Sequence, residues 1–175
     1  MPSRREALTL GAAGIAAAAA GFLAGPLLFG NKGRGDDVLR SASLIDLDGK
    51  PRHLAEWEGR ILVWNFWATW CTPCREEIPL LIAVREKYRV LGLEIVGIAV
   101  DNAAKVREFS LSFAIPYPIL LAEADGLDLM RKLGNSSGGL PYTVVIDRQG
   151  DQVHRKLGAL NQGDLDAILG PLTQS

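Results

Sequence analysis

Short apolar runs alternate with longer amphipathic stretches along most of this chain. The run Ile61–Trp67 is apolar apart from one asparagine, and Leu93–Val100 has a similar character. Runs of this length without a polar face are typical of central strands that are covered on both sides. The stretch Thr72–Leu91 between them predicts a helix, with Pro73 in its first turn and a kink expected at Pro79.

The remaining elements are shorter and complete an alternating pattern. Asp48-Gly49 predicts the turn of an N-terminal β-hairpin, and Arg148-Gln149-Gly150 predicts the turn of a second, C-terminal hairpin. Alternation followed by a hairpin and a helix predicts an α/β fold with a central mixed sheet flanked by helices on both faces. The expected strands cover 43–46, 52–54, 119–121, 142–147 and 152–157, and the expected helices run from Asp101 or Asn102 to Ala114, over 126–133, and from Asn161 to Leu169.

The first thirty residues have a different composition from the rest. No charged residue occurs from Ala7 to Gly30, which is long enough for a helix that crosses a bilayer. Arg4 and Arg5 precede this run and favour a cytoplasmic N-terminus, so the remainder is expected outside. We therefore predict a signal or retained membrane anchor over residues 1–30, a linker over 31–37 and one domain over 38–175. Ser3-Arg4-Arg5 is also similar to a twin-arginine export signal.

Charge excludes one large class of partner. The chain has 19 Lys and Arg against 20 Asp and Glu, a net charge of −1. Because no basic surplus exists to neutralise phosphates, nucleic acid is not an expected partner.

The two cysteines of the chain lie in one motif, Trp70-Cys71-Thr72-Pro73-Cys74, directly after a buried strand and at the start of a helix. A helix N-terminus favours the thiolate, which makes Cys71 the expected nucleophile. Cys74 lies one turn further on the same side and is the expected resolving thiol. Thr72 and Pro73 place no cation between the sulfurs, which favours a reducing couple.

The segment from Asn65 to Cys74 resembles the thioredoxin fold of the TlpA/ResA/CcmG group, which consists of membrane-tethered, exported thiol-disulfide oxidoreductases. The resemblance covers about residues 38–172. Thioredoxin itself has a buried aspartate six positions before the first cysteine, where this chain has Asn65. The resemblance implies that Glu77, three residues after Cys74, performs the acid–base work on that thiol. The solvated alternative, in which Glu76 and Glu77 only favour the helix N-terminus, stays open.

A second loop is implied to bind substrate. Gly139-Leu140-Pro141-Tyr142-Thr143 resembles the cis-proline loop of the group, so we expect Leu140 and Pro141 to contact the client chain, with Pro141 as the cis residue. Trp70 is expected to flank the reactive sulfur and contact partners. Asn65, Trp67 and Pro73 are expected to support the site by packing around it.

The resemblance implies a periplasmic enzyme anchored to the cytoplasmic membrane that reduces disulfides in client proteins of cytochrome c maturation or copper-site assembly. Its other implied partner is a membrane thiol electron donor that restores the dithiol. We expect no cofactor and no resident metal, because the Cys71–Cys74 disulfide itself carries the electrons.

Three other interpretations use the same cysteines. A metal-delivery or scaffolding module would use them as copper ligands. A zinc site would add His53 and His154, although the two histidines lie far apart in sequence and lack ligand spacing. A peroxiredoxin-like peroxidase would need a single peroxidatic thiol, whereas this chain has a close pair. Haem attachment is excluded, since Arg75 follows the second cysteine where a histidine is required.

Overall fold

The protein is described by a computed structural model that covers Val38, residues 41–123 and residues 125–174. The predicted anchor and the whole of the predicted linker lie outside the described residues. Within the described ranges, no helix has the length and apolar character needed to cross a membrane.

The described residues form one mixed sheet with helices packed on both faces. Its seven strands lie in the order β2-β1-β5-β4-β3-β6-β7. The strands are β1 (Ser43–Asp46), β2 (Pro51–His53), β3 (Ile61–Trp67), β4 (Leu93–Ala99), β5 (Ile119–Leu121), β6 (Tyr142–Ile146) and β7 (Gln152–Leu157). The α-helices are α1 (Thr72–Tyr88), α2 (Ala103–Ser112), α3 (Gly126–Lys132) and α4 (Gln162–Thr173).

The centre of the sheet consists of the two continuous apolar runs. Strands β3 and β4 pair in parallel from Ile61↔Leu93 to Trp67↔Ala99, and all of their residues are buried. Strand β6 pairs antiparallel with the other side of β3. The carboxyl end of β3, which leads to the cysteines, therefore lies beside the amino end of β6.

The two faces of the sheet carry separate apolar cores. On one face Val63 and Trp67 pack with both cysteines and with buried residues of α1 and α4, such as Leu165. On the other face Trp64 packs with buried residues of α3 and of the N-terminal segment, including Trp57. Layers on both faces confirm the predicted α/β architecture with an N-terminal hairpin.

Several predicted boundaries differ from the structure. Strand β2 begins and ends one residue earlier than predicted, because Leu54 already belongs to a 3₁₀ helix over Leu54–Trp57 that the apolar pattern did not indicate. Helix α1 continues through Pro79 to Tyr88 and is followed by a 3₁₀ turn over Arg89–Leu91. Gly92 then reverses the chain with a φ of 85°.

Two helices begin at a predicted cap residue but end elsewhere than predicted, and α2 ends at Ser112 rather than at Ala114. Asn102 is the N-cap of α2, because its side chain accepts a hydrogen bond from Ala104 N, whereas Asp101 binds elsewhere. Asn161 caps α4 as predicted, but that helix continues past Pro171 to Thr173. The helix extends because its last turn packs Leu172 against the core, which outweighs the proline.

Candidate active site

The two cysteines form a disulfide at the amino end of α1. Their Cα atoms lie 5.3 Å apart, which closes the predicted redox pair. Cys71 is the N-cap residue of α1, with an extended backbone and no side-chain capping bond. Its side chain keeps a 5% exposed fraction, whereas Cys74 is fully buried. An incoming sulfur can therefore reach Cys71 but not Cys74, and the free N–H groups of the first turn favour a thiolate at Cys71 once the disulfide opens.

The loop before Cys71 is fixed by an aspartate at the end of the neighbouring strand. Asp101 accepts hydrogen bonds from the backbone N–H of Thr69, at 3.0 Å, and from its hydroxyl. Burial alone would raise the pKa of Asp101, but these bonds and one from Asn102 N outweigh it and hold the pKa below its ordinary value. This link was not predicted from the sequence, where its signal is a polar residue directly after a buried strand.

Glu77 is a buried residue of α1, three residues after Cys74, and is 3% exposed. Its Oε1 accepts a hydrogen bond from Asn65 Nδ2 at 2.7 Å, and its Oε2 accepts one from Leu160 N at 2.7 Å. Burial raises the pKa of Glu77, and the two hydrogen bonds together with the charge of Lys156 offset this only in part. Its burial excludes the alternative of a solvated Glu77, whereas Glu76 is exposed.

Asn65 connects Glu77 to the sheet. Its Nδ2 also lies 3.2 Å from Oγ1 of Thr143, its direct partner on β6. Cys74 and Glu77 are both buried and lie three residues apart, so they share one face of α1. The structure thus brings together three of the predicted residues, Asn65, Cys74 and Glu77, around one buried carboxyl group.

The second predicted loop lies at the same end of the sheet. The Leu140–Pro141 peptide bond is cis, as predicted. Strand β6 begins immediately after it, with Tyr142 opposite Phe66 of β3. Leu140 is half-buried and Pro141 is buried. The loop is therefore placed beside the residues that lead into the cysteine motif.

Asn135 holds this loop in shape and was not singled out in the sequence. Its side chain donates to Gly139 O at 2.8 Å and accepts from Gly138 N at 3.0 Å. It is 3% exposed. An asparagine in a Gly- and Ser-rich segment is a signal for such a turn, although its partners three and four residues further along cannot be read from spacing alone.

The two tryptophans nearest the cysteine motif differ in exposure as predicted. Trp70, next to Cys71, is 67% exposed, whereas Trp67 is buried and packs against Phe109 with ring centroids 5.3 Å apart. Gly97 makes room for it, because a Cβ atom there would lie 3.0 Å from Trp67 Nε1 and 3.2 Å from Tyr117 Cε2. Pro73 is exposed in the first turn of α1.

The structure does not bring the histidines to the cysteines. His53 lies on β2 and His154 on β7, the two opposite edges of the sheet. In residues 41–123 and 125–174, no group of three or more His, Cys, Asp or Glu side chains is arranged to hold a metal ion. The geometry therefore gives no support to the zinc alternative.

Comparison with known proteins decides the family. The Redoxin family model matches residues 34–169, most of the chain. The chain belongs to the Redoxin family. Among the relatives of this Redoxin member is the thiol-disulfide oxidoreductase ResA of Geobacillus kaustophilus, 31% identical over 127 residues, which cover 72% of this chain and 71% of the relative. ResA of Bacillus cereus is 29% identical over 132 residues, which cover 74% of this chain and 73% of the relative.

Solved structures agree with this family. A thiol:disulfide interchange protein of the thioredoxin family from Chlorobium tepidum is 33% identical, with a TM-score of 0.65, over 75% of this chain and 92% of that one. A secreted thiol-disulfide isomerase from Corynebacterium glutamicum has a TM-score of 0.71 at 22% identity, over 78% of this chain and 86% of that one, and shows the fold alone. The resemblance to the TlpA/ResA/CcmG group is confirmed: this Redoxin member is a thiol-disulfide oxidoreductase with a thioredoxin-like fold.

Proposed function

We propose that this enzyme reduces disulfides in exported client proteins of cytochrome c maturation or of copper-site assembly, from a position anchored to the outer face of the cytoplasmic membrane. The observation that carries the proposal is the pairing of a reachable Cys71 with a buried Cys74 whose helix face also bears the buried Glu77. A membrane thiol electron donor would return the enzyme to its dithiol form.

In the first step the Cys71 thiolate attacks one sulfur of the client disulfide. A Cys71–client disulfide forms, and the second client sulfur leaves as a thiolate that takes up a proton from water. The helix N-terminus stabilises the attacking thiolate, and the exposed Trp70 ring beside it offers an apolar contact to the client. Leu140 and Pro141 would lie along the client backbone.

In the second step Cys74 resolves the mixed disulfide. Its thiol gives a proton to the Glu77 carboxylate, and the resulting thiolate attacks Cys71 Sγ. The client sulfur leaves as a thiolate and is protonated, so the client gains two electrons and two protons while the Cys71–Cys74 disulfide forms. Glu77 suits this work because burial raises its pKa toward that of a thiol, which makes it a stronger base than an exposed glutamate.

Three observations support reduction, export and this client type. No cation lies between the sulfurs, which favours the reducing direction. The charge-free run from Ala7 to Gly30 supports an exported, anchored domain. The resemblance of Asn65–Cys74 to the TlpA/ResA/CcmG group implies this client type. The chemistry needs no cofactor beyond the Cys71–Cys74 pair.

Client capture tests the proposal. The full-length Cys74→Ala variant, expressed in its native compartment, is expected to accumulate a mixed disulfide through Cys71, because the resolving thiol is absent. Mass spectrometry of the captured species identifies the client. The matched control is Cys71→Ser with Cys74 intact, which should capture nothing, since the nucleophile is missing.

A turnover assay is the second test of the proposed function. With a dithiol donor, the wild-type enzyme should reduce a disulfide-bearing client peptide catalytically, and Cys71→Ser should not. Capture of no exported protein by Cys74→Ala, or turnover that survives Cys71→Ser, would overturn the assignment. Copurification of one copper ion per chain without turnover would instead favour the metal-delivery alternative.

A further inference from the structure

Two carboxylates hold neighbouring peptide groups in the loop that precedes α4. Glu77 Oε2 accepts from Leu160 N at 2.7 Å, and Asp164 Oδ2 accepts from Asn161 N at 2.9 Å. Because Leu160 and Asn161 are consecutive, the two carboxylates lie one peptide unit apart along this loop. Asp164 is therefore a near neighbour of the proposed acid–base group, although it belongs to a different helix.

Lys156 on β7 forms a close ion pair with this same Asp164. In the sheet Lys156 lies directly opposite Thr143, which lies directly opposite Asn65 on β3. Cross-strand partners share one face of a sheet, with Cβ atoms about 5 Å apart. Lys156 thus lies in the same cross-strand row as Asn65, which binds Glu77, and on the face that α1 and α4 cover.

The other groups around Glu77 supply no positive charge. Asn65, Thr143 and the Leu160 N–H are neutral, and Tyr117 is kept protonated because burial and the nearby Glu77 raise its pKa. Cys74 on the same helix is neutral in the disulfide. The flanking Arg75 and Glu76 of α1 are exposed rather than buried with Glu77.

Lys156 is the group whose charge acts on the Glu77 carboxylate. One other titratable side chain, His154, lies next to Lys156 on this face of the sheet. His154 is on the same face of β7, since it pairs with Val145 two residues from Thr143, and its charge acts on Asp164 rather than on Glu77.

We propose that the ammonium group of Lys156, held in place by Asp164, is the positive charge that stabilises the ionised form of Glu77 and so sets the pH at which Cys74 can be deprotonated. Lys156 is a positioning residue: it acts through Glu77 and does not contact the sulfurs. This inference rests on the proposed role of Glu77. It also predicts that two charges on β7 and α4, far from Cys71 in sequence, control the second step of the exchange.

Removing the charge of Lys156 and removing the charge of Asp164 should shift the titration midpoint of Glu77 in opposite directions. Lys156→Met keeps the apolar stem but deletes the charge, so the titration midpoint of Glu77 should move to higher pH. Asp164→Asn deletes a negative charge, but its amide oxygen can still accept from Asn161 N and from the Lys156 ammonium group, as Oδ2 of Asp164 does. Lys156 therefore stays in place, and the midpoint should move to lower pH. Below the midpoint, the single-turnover rate of mixed-disulfide resolution should fall about twofold to fivefold in Lys156→Met.

Matched variants separate this effect from general changes of surface charge. Arg155→Met deletes a positive charge from the next residue of β7, whose side chain points to the opposite face, and should leave the midpoint unchanged. Lys156→Arg keeps the charge and should restore the wild-type midpoint. A His154→Gln background removes the side chain of β7 whose charge acts on Asp164, so that any remaining shift belongs to Lys156.

The direct readout is the ¹³C chemical shift of the Glu77 carboxyl group against pH in the oxidised full-length chain, followed by the pH profile of the resolution rate. Equal midpoints for Lys156→Met and Arg155→Met, or a shift of the same sign for Lys156→Met and Asp164→Asn, would overturn the inference. The carboxyl titration does not depend on catalysis. A wild-type chain that fails to reduce disulfides would therefore refute the proposed function without deciding the role of Lys156.

Discussion

Two buried glutamates in this protein have similar exposure and opposite surroundings. Glu94 on β4 is 5% exposed and binds Arg85 of α1 through two contacts, at 2.5 and 3.1 Å. Arg60 adds a longer ion pair at 3.7 Å. Glu77 is 3% exposed but hydrogen-bonds only neutral donors, Asn65 and the Leu160 N–H.

The difference separates a structural carboxylate from a reactive one. The hydrogen bond and charge of Glu94 raise the pKa of Arg85, so the guanidinium group stays charged, and the pair connects the carboxyl-terminal half of α1 to β4. Glu77 has no such direct partner, and its ionised form is destabilised by burial. A buried carboxylate without a directly bound cation lowers the stability of the fold. The same burial raises its pKa, which makes it the stronger base that proton transfer from Cys74 needs.

The largest expected effect is on activity, where Glu77 and Glu94 should differ. Glu77→Gln should slow resolution of the mixed disulfide by about 10²–10⁴-fold, because the proton acceptor for Cys74 is lost. Capture of the client by Cys71 should remain near wild type. Single-turnover kinetics of each step measure the two rates separately, and Glu94→Gln is the matched change at the other carboxylate. Slowing of the first step by Glu77→Gln, or equal slowing of the second step by both variants, would remove the distinction.

The second prediction concerns the contribution of the Arg85–Glu94 pair to the free energy of unfolding. Arg85→Met leaves the buried Glu94 with the distant Arg60 as its remaining charged partner, which should lower the free energy of unfolding by about 3 kcal/mol. Arg60→Met, at an exposed position, should cost less than about 1 kcal/mol. Denaturant unfolding followed by tryptophan fluorescence measures both values. A smaller loss for Arg85→Met than for Arg60→Met would contradict the structural role of the pair.

The smallest expected effect is the pH dependence of stability. Burial raises the native pKa of Glu77 above its ordinary value of 4.5, so the native state binds more protons than the unfolded state between these two values. The contribution of Glu77 to stability is therefore greatest below pH 4.5 and is lost as the pH rises through the native pKa.

The variant Glu77→Gln lacks this loss, because a glutamine side chain does not ionise. The stability of Glu77→Gln relative to wild type should increase from pH 4.5 upward and then level off. Taking the difference cancels the opposite trend of acids whose pKa is lowered, such as Asp101. Denaturant titrations at several pH values give this difference, and one that stays flat with pH would show that Glu77 is not destabilised by burial.

The elements that position the site follow from local patterns. The apolar run Ile61–Trp67 predicts strand β3 with its observed bounds, since a fully covered strand needs no polar alternation. The cysteine motif at a helix start and the proline before β6 are likewise local signals, and both occupy their predicted places. The acid–base role of Glu77 was implied only by family resemblance, because helical spacing alone is equally compatible with a solvated residue.

The contacts that tune the site depend on sheet register and could not be read from the sequence. Asp101 reaches Thr69 only because β3 and β4 end side by side. Lys156 comes near Glu77 only through its pairing with Thr143, in a hairpin more than sixty residues further along the chain. Pattern analysis assigns each strand its faces, but it does not identify which polar residues of different strands become partners.

The strand order has a consequence for behaviour at high concentration. The outermost strands are β2, which has three residues and starts with Pro51, and β7, whose middle carries His154, Arg155 and Lys156. Proline, short length and clustered charge each discourage a foreign strand from docking along an open edge. We therefore expect the sheet to resist edge-to-edge aggregation even while a client chain is held at its reactive end.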